Sequence, residues 1–189
     1  KKYGVWAKKR FGQNFLVDRG VLEQIVAAAD LQPTDTVVEI GPGPGVLTRE
    51  VLPRAQQVIA IELDREIIPV LREATHFFRD RLQLCEQHIL DYAPPAEPYK
   101  LVANIPYHLT SPILRKFLPE AAHRPQSITL LVQKEVAEKL CDTTHRSLLS
   151  ELVEAYGHAH IVATVPAAAF SPPPKVDPSI LHIAGAQNP

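Results

Sequence analysis

The chain has no methionine, two cysteines and a single tryptophan among its 189 residues. A natural reading frame opens with methionine, so the sequence is expected to be a fragment. Cys85 and Cys141 stand far apart and form no C-x-x-C pair, which argues against a disulfide framework or a zinc site and fits a reducing compartment. No apolar run approaches the roughly 20 residues that span a bilayer. The opening Lys1-Lys2-Tyr3-Gly4-Val5-Trp6 also lacks the apolar stretch of a secretory signal. A cytoplasmic protein without a membrane partner is expected. Neither sign of charge is in excess, with 20 Lys and Arg against 21 Asp and Glu. The surface as a whole is therefore not the basic field of a nonspecific nucleic-acid binder, and any such contact must come from local patches.

What is present is an ordinary globular composition, long enough for one buried core, and an alternation of elements. Residues 8–16 are basic and aromatic. They precede an amphipathic stretch in which Leu22, Ile25, Val26 and Ala29 share one face. Residues 1–20 are read as a basic arm and 21–189 as one domain. Thr36-Val37-Val38-Glu39-Ile40 is a β-branched run that ends in Gly41-Pro42-Gly43-Pro44-Gly45, followed by a helical pattern through Leu52. Strands are predicted at 58–63, 82–86 and 100–103 with a helix at 66–74, an alternation that implies a parallel sheet. Helices at 111–118, 134–140 and 147–156 and strands at 127–132, 160–165 and 180–183 complete the pattern. The fold class is α/β, a mainly parallel seven-stranded sheet flanked by helices. Residues 94–98 and 171–174 are proline-rich loops, because proline lacks the backbone donor that a central strand needs.

A glycine-rich turn between a strand and a helix lets a ligand approach the backbone closely. Here the spacing is Gly41-x-Gly43-x-Gly45. A dinucleotide fingerprint places its third glycine at 46, which is Val46, so a nicotinamide reading loses its main feature and a methyl donor gains by comparison. The next strand ends in Glu62, whose carboxylate could accept hydrogen bonds from both ribose hydroxyls of a nucleoside. The loop alone would also fit a plain turn without a ligand. Asp64 is expected to cap the following helix, Cys85 to belong to the core, and His158 and His160 to be surface or packing residues with no metal role.

Asn104-Ile105-Pro106-Tyr107 directly follows the apolar run Leu101-Val102-Ala103, and so should lie at the carboxyl end of a parallel strand, where ligands collect. An adenine exocyclic amine is a poor nucleophile because its lone pair is delocalised. Acceptors that hold its hydrogens can aim that lone pair, and the Asn104 amide oxygen and the Ile105 carbonyl are suited to this, with Pro106 fixing the chain direction and adding no donor. Tyr107 would supply a stacking face, an interaction of roughly 1–3 kcal/mol for a base drawn out of its own stack. With a sulfonium as the methyl source, positioning and desolvation could supply most of the catalysis.

Five segments occur in a set order: Arg10-Phe11-Gly12-Gln13-Asn14-Phe15-Leu16, Glu39 to Gly45, Asn104 to Tyr107, Gln133-Lys134-Glu135-Val136, and Phe170-Ser171-Pro172-Pro173-Pro174-Lys175-Val176-Asp177. Together they resemble the ribosomal RNA adenine dimethyltransferases, the KsgA/Erm family, over residues 8–183, and the first and last segments look like its small-subunit branch. The resemblance implies a Rossmann-like domain that uses S-adenosylmethionine, releases S-adenosylhomocysteine, and dimethylates N6 of adjacent adenines in small-subunit ribosomal RNA during ribosome biogenesis. It implies a monomer whose partner is ribosomal RNA in a small-subunit particle. It places Gln13, Asn14, Leu16, Gly41, Gly43, Gly45, Glu62, His88, Ile89 and Asn104 at the donor. Phe170 would sandwich the target base opposite Tyr107, and Lys8, Lys9, Arg10 and Lys175 would contact RNA. A solvated terminus is the alternative for the arm.

Three features depart from the family pattern. His88 stands where the family has an aspartate that accepts from the donor's adenine amine; a neutral imidazole nitrogen could accept, or Asp91 could substitute. Thr144-His145-Arg146-Ser147 lacks a glycine common before the following helix. The family's further small helical domain is absent, or was removed, beyond Pro189. His88 and the missing domain motivate a second reading, a non-catalytic RNA-binding assembly or transcription factor that retains the fold.

Overall fold

Val37, Val38, Leu101, Val102, Ile128 and Leu130 are each no more than 1% exposed. Strands covered on both faces carry unbroken apolar runs in place of alternation, and these residues form the centre of the sheet. The structure, a computed structural model, describes residues 13–185. In chain order its elements are β1 (Phe15–Leu16), α1 (Arg19–Ala29), β2 (Thr36–Ile40), α2 (Thr48–Val51), β3 (Gln57–Glu62), α3 (Ile68–Ala74), β4 (Leu82–Glu86), β5 (Tyr99–Asn104), α4 (Thr110–Phe117), β6 (Ser127–Gln133), α5 (Lys134–Cys141), α6 (Leu148–Tyr156), β7 (His158–Thr164), β8 (Phe170–Ser171) and β9 (Pro178–Ala184). Short 3-10 turns join several of them.

Seven strands form one sheet in the order β4-β3-β2-β5-β6-β9-β7. Neighbours from β4 to β6 are parallel, while β9 runs antiparallel to both β6 and β7. Winding reverses between β2 and β5, and a crevice opens at the carboxyl ends of strands at such a reversal. One face of the sheet buries Val38, Leu101 and Ile128 with Ile113 and Phe117 of α4. The other buries Val37, Val58 and Val102 with Leu22 and Ile25 of α1. Asp18 begins α1 by accepting a hydrogen bond from the Val21 N–H at 3.1 Å, a cap that fixes where the arm gives way to the domain.

The expected elements all form, with shifted ends. Pro53 stops α2 early and turns Leu52–Arg54 into a 3-10 segment. The helix expected from 66 starts at Ile68, because the Asp64 carboxylate first closes a turn onto the Glu66 N–H at 3.2 Å. The loop without glycine is closed by Asp142, which accepts from the Thr144 and His145 amides at 2.7 and 3.1 Å. His158 and His160 are exposed along β7, Cys85 packs against the core, and no cluster able to hold a metal is found among the described residues. Among those residues no helix is long and apolar enough to cross a membrane.

One pairing was not expected. Phe15 and Leu16 pair antiparallel with Ser171 and Phe170 to form a separate two-stranded ribbon, so the end of the arm is part of the folded domain.

Candidate functional site

Four strand ends meet at the crevice. The loops after β2, β3, β4 and β5, together with residues 13–16, enclose a cavity of about 340 Å³. Gln13, Asn14 and Leu16, then Gly41, Gly43 and Glu62, then His88, Ile89 and Asn104 to Tyr107 all stand in its wall. Residues more than 90 positions apart in the chain are thus brought together.

Gly43 has φ +56° and an added Cβ would lie 3.3 Å from the Phe15 ring, so both the turn and the close approach of the arm require glycine. Gly45 serves differently. At φ +83°, its added Cβ would lie 2.8 Å from Leu71 Cδ1, and it is not in the cavity wall. It lets α3 pack behind the loop.

Glu62 is held by three backbone donors: Gly43 N–H to Oε2 at 3.1 Å, and the Leu63 and Asp64 N–H groups to Oε1, both at 2.9 Å. Burial raises its pKa and these bonds oppose the rise. A carboxylate has about four acceptor positions, so capacity for a further donor remains, mainly on Oε2.

Glu39 is the functional candidate that pattern reading passed over. It is 1% exposed near the carboxyl end of β2 and lines the cavity. Its Oε2 has no hydrogen-bond partner, nor has the buried Thr48 hydroxyl. Burial pushes its pKa up to about 8; the nearby Thr48 hydroxyl offsets this in part, and the Glu62 charge adds to it. The available signal was an acid within an apolar strand, where an unpaired carboxyl is costly. Phe15, Gln87 and Leu63 also line the wall without having been singled out.

Asn104 donates its amide N–H to the Asn14 carbonyl at 3.3 Å, which commits the nitrogen and leaves the oxygen as the remaining acceptor. The Ile105 carbonyl receives no turn hydrogen bond among the described residues. Tyr107 is half-buried, and burial together with the Asp177 charge pushes its phenol up to about 12, so it stays protonated at neutral pH. Gln13 reaches across to the Asp64 carboxylate at 3.3 Å, tying the arm to the loop after β3.

Several expected residues lie elsewhere. Phe170 is 4% exposed and packed in the core beside Leu16, outside the cavity wall. Lys175 is exposed on the proline-rich loop. Lys8, Lys9 and Arg10 lie outside the described residues. His88 differs in polarity from the expectation: its Nδ1 already accepts the Leu90 N–H at 3.2 Å, so that nitrogen is not an acceptor for a ligand. Asp91 is exposed and not in the wall.

A doubly wound sheet with a glycine loop at its reversal, an acid at the end of the next strand and an antiparallel strand inserted near one edge is the Rossmann-like architecture of S-adenosylmethionine-dependent methyltransferases. The family described as "Ribosomal RNA adenine dimethylase" matches residues 5–189, and the chain belongs to that family. It is 47% identical over 187 residues to a protein of Dehalococcoides mccartyi named "Ribosomal RNA small subunit methyltransferase A", covering 96% of this chain and 64% of the relative. The chain therefore spans slightly under two thirds of that relative. Among solved structures, "23S rRNA methyltransferase ErmE" superposes with TM-score 0.84 at 33% identity, covering 93% of this chain and 73% of that one. A dimethyladenosine transferase from Plasmodium falciparum gives TM-score 0.81 at 31% identity, covering 90% and 62%.

Proposed function

We propose that this chain is the catalytic domain of an S-adenosylmethionine-dependent enzyme that dimethylates N6 of adjacent adenines in small-subunit ribosomal RNA, acting as a cytoplasmic monomer on a small-subunit particle. The observation that carries the reading is the placement of Asn104, amide nitrogen bonded to Asn14 and oxygen left to accept, in the same cavity as the glycine loop and Glu62. The names of the family and of the relatives support the substrate assignment.

The residues present suit the donor. Glu62 retains acceptor capacity for ribose hydroxyls, and the buried Glu39 carboxyl, whose Oε2 has no hydrogen-bond partner, complements a cationic ligand once it ionises. When bound, the sulfonium supplies an electrophilic methyl carbon. Asn104 Oδ1 and the Ile105 carbonyl accept the hydrogens of the adenine amine and aim its lone pair, and Tyr107 stacks on the ring. No side chain needs to remove a proton before transfer. Lys175 and the basic residues Lys8, Lys9 and Arg10 contact RNA phosphates in this reading, and Phe170 acts by packing under Leu16, which lines the cavity.

The test incubates the chain with undermethylated small ribosomal subunits and labelled donor, followed by nucleoside analysis. Label should appear in N6,N6-dimethyladenosine, and Asn104→Ala should lower transfer by about 100-fold or more while donor binding persists. Normal turnover in Asn104→Ala, or particle binding without transfer by the unmodified chain, would overturn the proposal; the latter would favour a docking factor.

A further inference from the structure

His88 stands in the cavity wall with its acceptor nitrogen already used. Glu62 closes β3, and the segment after β4, the next strand outward, forms the adjoining wall with Gln87, His88 and Ile89. A nucleoside whose ribose is held at Glu62 therefore extends its base toward Gln87–Ile89. The Leu90 N–H donates to His88 Nδ1 at 3.2 Å. A neutral imidazole has one acceptor and one donor nitrogen, so the other nitrogen, Nε2, carries the hydrogen. The neighbouring Ile89 N–H has no acceptor among the described residues. The base end of the cavity thus offers two donors side by side.

The two common purine edges each match half of that pattern. Adenine presents an amine donor beside the N1 acceptor, and hypoxanthine presents a carbonyl acceptor beside the N1 donor. With position 6 of the purine at His88 and N1 at Ile89, which adjoin in the wall, either base satisfies one donor and opposes the other. Gln87 can turn its amide to serve either. We propose that His88 makes the base subsite nearly indifferent to whether the purine carries an amine or a carbonyl at position 6, leaving selection of the methyl donor to Glu62, Glu39 and the rest of the cavity. The inference rests on the proposed nucleoside donor.

The probes are S-adenosylhomocysteine and S-inosylhomocysteine, titrated calorimetrically into the unmodified chain, His88→Asn and His88→Asp. The unmodified chain should bind the two within about fivefold of each other, since neither gains a second matched bond. His88→Asn should behave alike, because its amide oxygen can cap Leu90 while its nitrogen still donates. His88→Asp can cap with one oxygen and accept with the other, so its preference for the adenosyl compound should widen by about tenfold or more, as expected for one charged hydrogen bond. A strong adenosyl preference in the unmodified chain overturns the inference, as does an unchanged ratio in His88→Asp, while leaving the donor assignment standing. Failure of both compounds to bind the unmodified chain overturns the donor assignment, and the inference with it. If His88→Asp fails to fold, the unmodified chain and His88→Asn still decide.

Discussion

Replacing Glu39 by glutamine should make the ligand-free protein more stable at neutral and alkaline pH and leave it almost unchanged in mild acid. The carboxyl is 1% exposed and its Oε2 is unpartnered, and burial raises its pKa from 4.5 to about 8. Between those values the folded protein holds a proton that the unfolded chain has released, so stability falls as pH rises through this window. At about 1.4 kcal/mol per pH unit, the ceiling of the loss is about 5 kcal/mol. Structural relaxation lowers it, and a difference of about 2–5 kcal/mol at pH 8 is expected. Glutamine keeps the shape and cannot ionise. Urea unfolding of both proteins at pH 5, 6, 7 and 8 would measure the gap directly. Midpoints that separate progressively with pH are expected; parallel curves would show that Glu39 is already ionised or solvated in the fold and would refute the reasoning.

The same carboxyl should report on the donor. If a cationic ligand stabilises the ionised form, binding at pH 7 should release close to one proton, seen by titrating in two buffers of different ionisation enthalpy, and Glu39→Gln should abolish the release. The glycine loop separates two effects. Gly45→Ala, with φ +83° and a 2.8 Å approach to Leu71, should lower stability by about 1–3 kcal/mol, a loss that chemical denaturation would read. Gly43→Ala, also strained at φ +56°, should in addition lower donor affinity by displacing Phe15 from the wall; an equal loss of affinity in the two variants would count against the division. Tyr107→Phe should keep kcat/KM for RNA within about threefold, since the phenol is neutral at assay pH, whereas Tyr107→Ala should lose the roughly 1–3 kcal/mol of stacking. A phenylalanine variant as impaired as the alanine one would point to the hydroxyl.

Local spacing made much of this site readable. The run Thr36 to Gly45 is strand, turn and helix start in ten consecutive residues, and Asn104 to Tyr107 follows an apolar strand so directly that its place at a strand end could be inferred. Seven strands were visible because β-branched and apolar residues cluster in them. Features that depend on distant partners were not visible. The ribbon of Phe15–Leu16 with Phe170–Ser171 joins two-residue strands more than 150 positions apart, too short for any periodicity, and it draws Phe170 inward away from the cavity wall. His88 could be placed beside the donor, but its polarity is set by a bond to its own backbone two residues on. Gly45 shared the spacing of the ligand loop, yet its role is decided by Leu71 on another helix. Glu39 was hidden because a period-two or apolar pattern tolerates one acid without revealing that one of its oxygens lacks a partner.

Residues 13–16 link the two halves of the chemistry. They wall the donor cavity, and through the Asn14 carbonyl they hold the amide nitrogen of Asn104, the group assigned to the target amine. An asparagine amide has two nearly isosteric orientations, and only one directs oxygen at an amine; the Asn14 bond favours that one. The segment is pinned on both sides, by the Gln13 bond to Asp64 and by the ribbon with β8. Weakening either tie should therefore do more than loosen the donor. Gln13→Ala should lower kcat as well as donor affinity, because the acceptor that aims the amine loses its support. A change in donor affinity alone, with kcat intact at saturation, would show that Asn104 keeps its orientation without the arm.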